Sequence, residues 1–430
     1  MVSGKESSQL FDNLLFPRIF QTFRMSIQPT KLIIALSALA IICLAGWLMD
    51  FVSEPVAVTP DTPDLLKLYI ENCTQKGGHE GVFSTLWGFA ATRFQGAVDS
   101  VFAYSVTDVV RNIAGYFKAV GWALKYHFVY CIIFFVIKLA VISMAGGTIC
   151  RITALQFARG EKPGLTEALR FSTKRFTSFF TAPLAPIGII IFVGLFIFLL
   201  GLIGNIPWIG ELAIGIFMPL TLIAGALMAV ILIGAVAGFN LMFPAVAYDG
   251  SDCFDAISRS FSYVYARPWR MVFYTAIAAV YGAICYTFVR FFAFLLLWIA
   301  HRSLQFGVWV DNSGKEVDKL SVIWPKPEFM NLLGSAGSVS VNWSESLAAF
   351  LIYLFMLGVV GLVVSFILSF YFSANTIIYS LMRNKVDSTA LEDIYTYLEE
   401  AEAEPTTTES QPGEAQPQSE SQPDSSSSEQ

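Results

Sequence analysis

Residues 180–247 read FTAPLAPIGIIIFVGLFIFLLGLIGNIPWIGELAIGIFMPLTLIAGALMAVILIGAVAGFNLMFPAVA, and the only charged side chain among them is Glu211. A helix rises 1.5 Å per residue, so about 20 apolar residues cross about 30 Å of hydrocarbon. The stretch holds two such crossings, roughly 180–204 and 213–247, turned at 205–211. It predicts a transmembrane hairpin.

Four more stretches of this kind lie on either side, at about 32–52, 128–150, 271–300 and 346–379. The composition agrees: 55% hydrophobic and 14% charged residues, against about 45–50% and 25% in soluble domains. A water-soluble globular enzyme is excluded. The fold class expected is an all-α integral membrane protein with six transmembrane helices in three hairpins, each followed by a short cytoplasmic amphipathic helix.

Lys and Arg in short loops set the orientation. Segment 151–179 carries Arg151, Arg159, Lys162, Arg170, Lys174 and Arg175, segment 248–270 carries Arg259, Arg267 and Arg270, and the 205–211 turn has no base. Both basic segments are therefore read as cytoplasmic, as are both termini, with a bacterial inner membrane as the expected location. The domain plan is a cytoplasmic segment 1–31, a first hairpin 32–150 with an outside loop 53–127, and a cytoplasmic helix in 151–179. A second hairpin 180–247 and cytoplasmic helix 248–270 follow, then a third hairpin 271–379 with an outside loop 301–345, a cytoplasmic helix 380–398 and a disordered acidic tail 399–430. The first span follows too long an N-terminal segment for a signal peptide and lacks a small-residue cleavage site, so it reads as a retained anchor.

The hairpins repeat. GLTEALRF (164–171), DCFDAISRSF (252–261) and DSTALEDIY (387–395) each follow a span, and Ala168, Ala256 and Ala390 fall in register. The interval from Ala256 to Ala390 exceeds that from Ala168 to Ala256 by nearly the length of loop 301–345. Asp252 with Asp255, and Thr389 with Glu392, have capping spacing. Ile257, Ser260, Phe261 and Val264 share one helical face, as do Leu165, Ala168, Leu169 and Phe176. The outside stretch 81–125, with Phe83, Trp87, Phe89 and Phe94, is too apolar for a solvated helix and is expected on the outer interface or capping the bundle. Loop 301–345 is expected to be an interfacial lid.

The second hairpin, with AYDGSDCFDAISRSF and then Arg-Pro-Trp-Arg opening the next span, resembles the membrane domain of bacterial glycerophosphodiester phosphodiesterases and related uncharacterised multi-pass families. The likeness covers about 128–394 and is best at 244–275. It implies a membrane fold and transfers no catalytic residue.

No nucleotide-binding, hydrolase or metalloprotease motif occurs. His79, His127 and His301 match no ligand spacing, the six cysteines form no paired motif, and no cofactor is expected. An ionisable residue deep in a span is costly and marks function or pairing. Lys138, roughly midway between His127 and Arg151 and so near the middle of the second span, is the one candidate. Arg290, about 30 Å of helix beyond Arg270, is expected at the outer interface. Gly234 and Gly238 suit close helix packing, while Pro183, Pro186, Pro219 and Pro244 suggest breaks in the third and fourth spans.

The net charge of −6 conceals a division. The residues after Lys385 carry twelve acids and no base, so residues 1–385 carry +6. The reading is a non-enzymatic membrane scaffold organising lipid or partner proteins through its repeated helices and tail. Arg170, Lys174, Arg175, Arg259, Arg267 and Arg270 would face anionic inner-leaflet lipid, and nucleic acid is not an expected partner. The alternative is a small-solute or lipid transporter using Lys138 and proline-broken helices.

Overall fold

The computed structural model describes residues 16–53, 55–75, 81–307, 319–329, 331–333 and 342–395. Residues 1–394 form one compact unit, and Tyr395–Gln430 belong to a second. The predicted tail 399–430 lies outside the described residues. Among the described residues every regular element is helical. A short N-terminal turn (Phe16–Ser26) precedes α1 (Pro29–Val52), α2 (Asp64–Gln75), α3 (Val82–Phe102), α4 (Val106–Tyr126), α5 (Phe128–Arg159), α6 (Leu165–Lys174) and α7 (Phe176–Thr181). Then come α8 (Ala185–Ile203), α9 (Ile209–Asp249), α10 (Cys253–Ala266), α11 (Pro268–Gly307), α12 (Lys319–Ile323) and α13 (Trp343–Val386). Six of them, α1, α5, α8, α9, α11 and α13, are long and apolar enough to cross a membrane. The chain is an all-α multi-pass membrane protein.

Several helices outrun the predicted spans, and the overrun builds the core. In α5 the buried run is Gly146–Leu155, in α9 Leu241–Tyr248 and in α13 Phe372–Arg383, whereas α8 and the first part of α9 leave most large apolar side chains exposed. Such a surface is stable only against lipid. Small residues let the overruns converge: a Cβ added at Gly146 would come within 2.5 Å of the Phe372 ring, and one at Gly147 within 2.8 Å of Phe179. Gly234 and Gly238 likewise face Phe261 and Ser260, so this stripe is a packing seam.

The prolines do not break the spans. Helix α9 runs through Pro219 and Pro244 without interruption. Each removes one backbone donor, which an apolar helix tolerates. Pro186 sits in the first turn of α8, where its missing N–H would be unpaired anyway.

Two of the three segments aligned in the sequence share a local geometry. Helices α5 and α9 both end on a left-handed glycine, Gly160 (φ 72°) and Gly250 (φ 63°), and α6 and α10 follow with Ala168 and Ala256 buried. Asp252 caps α10 by accepting from the Asp255 N–H at 3.0 Å, as its spacing predicts. The face of α6 is rotated from the expected one: Ala168, Phe171 and Ser172 point inward, while Leu165 and Leu169 are exposed, because Phe171 fits beneath the Arg151 guanidinium, 4.4 Å from the ring centre.

The third segment departs from the expected helix at 380–398. Helix α13 stops at Val386, residues 387–395 are irregular, and Ala390 is exposed; 396–398 lie outside the described residues. Ser388, two residues past the end of α13, adopts the left-handed region at φ 57° that the glycines directly after α5 and α9 also occupy. Carbonyls that a helix would use are taken by side chains: Asn384 Nδ2 donates to Thr389 O (2.8 Å), Arg383 to Asp393 O (2.6 Å), and Tyr248 OH to Leu391 O.

The stretch 81–125 folds as the α3–α4 hairpin and packs against the bundle. The Asp50 carboxylate holds its start by accepting from the backbone N–H groups of Phe83 and Ser84, both at 2.8 Å, and from Tyr130 OH at 2.7 Å. A carboxylate there also meets the positive end of the helix dipole. From this anchor α3 runs inward, packing Phe83 on Phe134 (5.4 Å between ring centres) and Phe94 on Tyr286 (5.2 Å). Val98 and Val101 reach the depth of Ala278 and Ala374. Leu66, Phe89, Ala119 and Trp122 form a small core of their own among α2, α3 and α4. The described part of loop 301–345 packs as a cover, Leu320, Trp324 and Leu332 against Ala293, Leu297 and Met356. Arg290 is buried beneath this cover, donating from Nε to Phe329 O at 3.1 Å and from Nη1 to Tyr286 OH at 3.1 Å.

Candidate functional site

Among the described residues, a dense polar cluster lies where α9 and α13 end against α10. Asp249, the last residue of α9, has a side chain only 6% exposed and is faced by two guanidiniums: Arg383 Nε lies 3.2 Å from Oδ1, an ion pair without hydrogen-bond alignment, and Arg259 Nη1 3.4 Å from Oδ2. Tyr379 OH donates to Oδ2. Arg259 also donates from Nε to Asp255 at 2.9 Å, and Arg383 to Asp393 at 3.2 Å. Around these ions stand three tyrosines, with the Tyr379 ring 6.0 Å from Tyr248 and 5.4 Å from Tyr263. Tyr263 OH donates to Asp387. Its burial and this hydrogen bond push the Tyr263 phenol above its usual range.

Next to the cluster, Arg151 is buried, donates to Ala247 O at 2.9 Å and lies over Phe171. Burying ions is costly unless each is paired and hydrogen-bonded. Here the pairing ties the last turn of α9 to α10, to α13 and to the irregular segment 387–394. Its chemistry is that of a clamp: Asp249, Asp255, Asp393, Arg259 and Arg383 each meet an opposite charge, Arg151 a carbonyl and Asp387 a phenol.

The predicted basic residues separate into two kinds. Arg170, Lys174 and Arg267 are exposed near this end, and Arg175 and Arg270 are half-buried. Arg259 is instead drawn into the clamp, because α10 turns it toward Asp249. Lys138 is half-buried on α5, about 12 Å of helix inward from Tyr130. It has no hydrogen-bond or ion-pair partner among the described residues, and the structure does not bring it to the other basic side chains.

Sequence reasoning missed Asp249, Arg383 and the three tyrosines as a unit. Tyr248-Asp249 stands in the quoted AYDG segment, and Arg383 and Tyr379 sit in the last apolar span. A tyrosine and an ion at the end of each of two parallel spans were the available signal.

No family model, curated protein or solved structure matches the chain.

Proposed function

We propose that this membrane protein is a non-enzymatic scaffold, built from one hairpin unit used three times, that organises anionic lipid at its Arg151 end, with that end and both termini cytoplasmic. The observation that carries the reading is the clamp. It locks α9, α10 and α13 into one arrangement, which suits a fixed platform, and it leaves Arg170, Lys174 and Arg267 exposed around its margin. Each base near an anionic surface adds about 1 kcal/mol of attraction. Partner proteins, if recruited, would meet the same end and the acidic tail. The resemblance to the phosphodiesterase membrane domain is part of this reading only as a membrane plan.

Purified protein extracted from mixed phosphatidylglycerol and phosphatidylcholine vesicles should retain the anionic lipid in excess. The triple variant R170E/K174E/R267E should lose that excess while melting at the same temperature. An unchanged lipid ratio would overturn the proposal. Lys138→Leu separates the transport alternative: on the scaffold reading retention survives and stability holds or improves, since an unpaired charge leaves the membrane interior.

A further inference from the structure

Between the α3–α4 hairpin and the bundle lies a cavity of about 390 Å³, within the range of about 300–1,000 Å³ typical of ligand sites. Its walls are apolar: Phe94, Val98 and Val101 of α3, Ile113 of α4, and Phe366 and Phe370 of α13. Four small residues, Ala278, Ala279, Gly282 and Ala283, line it from α11 and make the room. Its polar residues, Asn240, Thr275, Tyr371 and Asn375, belong to the half nearer the clamp, because Tyr371 OH donates to Asn240 Oδ1 at 2.5 Å and Asn375 Nδ2 to Tyr371 O at 2.9 Å. Thr275 Oγ1 is buried without a partner among the described residues, although a buried hydroxyl ordinarily finds one. From Thr275 to Tyr286 the lining follows α11 for about 16 Å.

We infer that this cavity is a binding site for one acyl chain of a membrane lipid, the chain lying along α11 toward Tyr286 and the ester carbonyl accepting from Thr275. The shape is long and apolar with a donor at one end, which is the complement of such a chain. Lipid tails are as apolar as the walls, so burial alone gives no preference over the bilayer. Selectivity comes from close packing and from satisfying the Thr275 hydroxyl, worth about tenfold in occupancy. The inference shares the membrane setting of the proposed function and is independent of its basic end.

Phosphatidylglycerol carrying a diazirine on its acyl chain, reconstituted with the full-length protein, should label peptides of α3, α11 and α13 at the cavity. Ala279→Phe, which fills the space, should cut that labelling about tenfold or more, and Thr275→Val should weaken it severalfold at unchanged melting temperature. If Ala279→Phe fails to fold, Ala283→Phe and Thr275→Val decide. Labelling spread evenly over the exposed α8–α9 hairpin, or unaffected by these variants, overturns the site. Labelling by a free diazirine fatty acid but not by the phospholipid overturns the membrane-lipid assignment. R170E/K174E/R267E should leave cavity labelling intact, so failure of the platform and failure of the cavity are read separately.

Discussion

The clamp at the Arg151 end and the α2–α4 assembly at the Asp50 side are both held by acid–base pairs, and they use them in opposite ways. In the clamp, Asp249 is buried beneath Arg383 and Arg259. In the other, Lys125 meets Asp61 at 2.5 Å with both side chains more than half exposed, and the packing of Trp122, Phe89 and Leu66 carries the contact. The hydrogen bonds from Lys125 and Tyr126 hold the Asp61 carboxyl below its usual range, yet solvent screens such a pair nearly to nothing. Distance alone therefore misleads. The shorter pair is the weaker one, because removing one partner there strands no buried charge.

Asp249→Ala makes the sharpest break in this contrast. It takes from Arg383 and Arg259 their shared buried carboxylate, leaving each only its more exposed partner, Asp393 or Asp255, and leaves Tyr379 without an acceptor; loss of a buried partner costs up to about 3–5 kcal/mol. Thermal unfolding in detergent should show the largest fall of any variant considered, with faster hydrogen exchange in α10 and the end of α13. Lys125→Ala should leave the melting temperature unchanged. Equal effects of the two variants would break the comparison.

The difference between the regions also explains what could be seen in the sequence. The spans were legible because hydrocarbon demands long apolar runs whatever the tertiary fold, and the caps at Asp252 and the Gly234–Gly238 seam were legible because both are local. The α3–α4 hairpin was not. Its Arg93, Arg111 and Lys118 give it the look of a surface stretch, and only the anchor at Asp50, far back along the chain at the end of α1, turns it alongside the bundle. The pairing of Arg259 with Asp249 is hidden for the same reason: an exposed-looking base on an amphipathic helix is indistinguishable, in sequence, from one whose acid comes from the end of the preceding span.

A pH titration gives a smaller effect confined to the clamp. Tyr263 is held in its neutral form, with its folded pKa raised by burial and by the hydrogen bond to Asp387. A raised folded value means that the contribution is complete below the phenol's unfolded pKa of about 10 and is lost as pH rises above it. Stability of the wild type should therefore decline on the alkaline side of about pH 10, and Tyr263→Phe should flatten that decline at a modest cost near neutrality. An unchanged alkaline slope would show that the phenol is not what the clamp shelters.

The smallest effect concerns where the third aligned segment departs from the other two. Ser388 has φ 57°, in the region that Gly160 and Gly250 occupy without a Cβ. A left-handed conformation costs a non-glycine residue about 1–2 kcal/mol. Ser388→Gly removes that cost, while the greater freedom of glycine in the unfolded chain takes back about 0.4–1 kcal/mol. The net expectation is a stabilisation between zero and about 1.6 kcal/mol, read as a slight rise in melting temperature. The same variant asks whether the serine or the side-chain contacts keep 387–394 from becoming a third α6-like helix. Tyr248, Arg383 and Asn384 already hold three of its carbonyls, so helix content by circular dichroism should not change. A gain in helix would place the cause in Ser388 alone, and the clamp would then be a consequence of the irregular segment instead of its support.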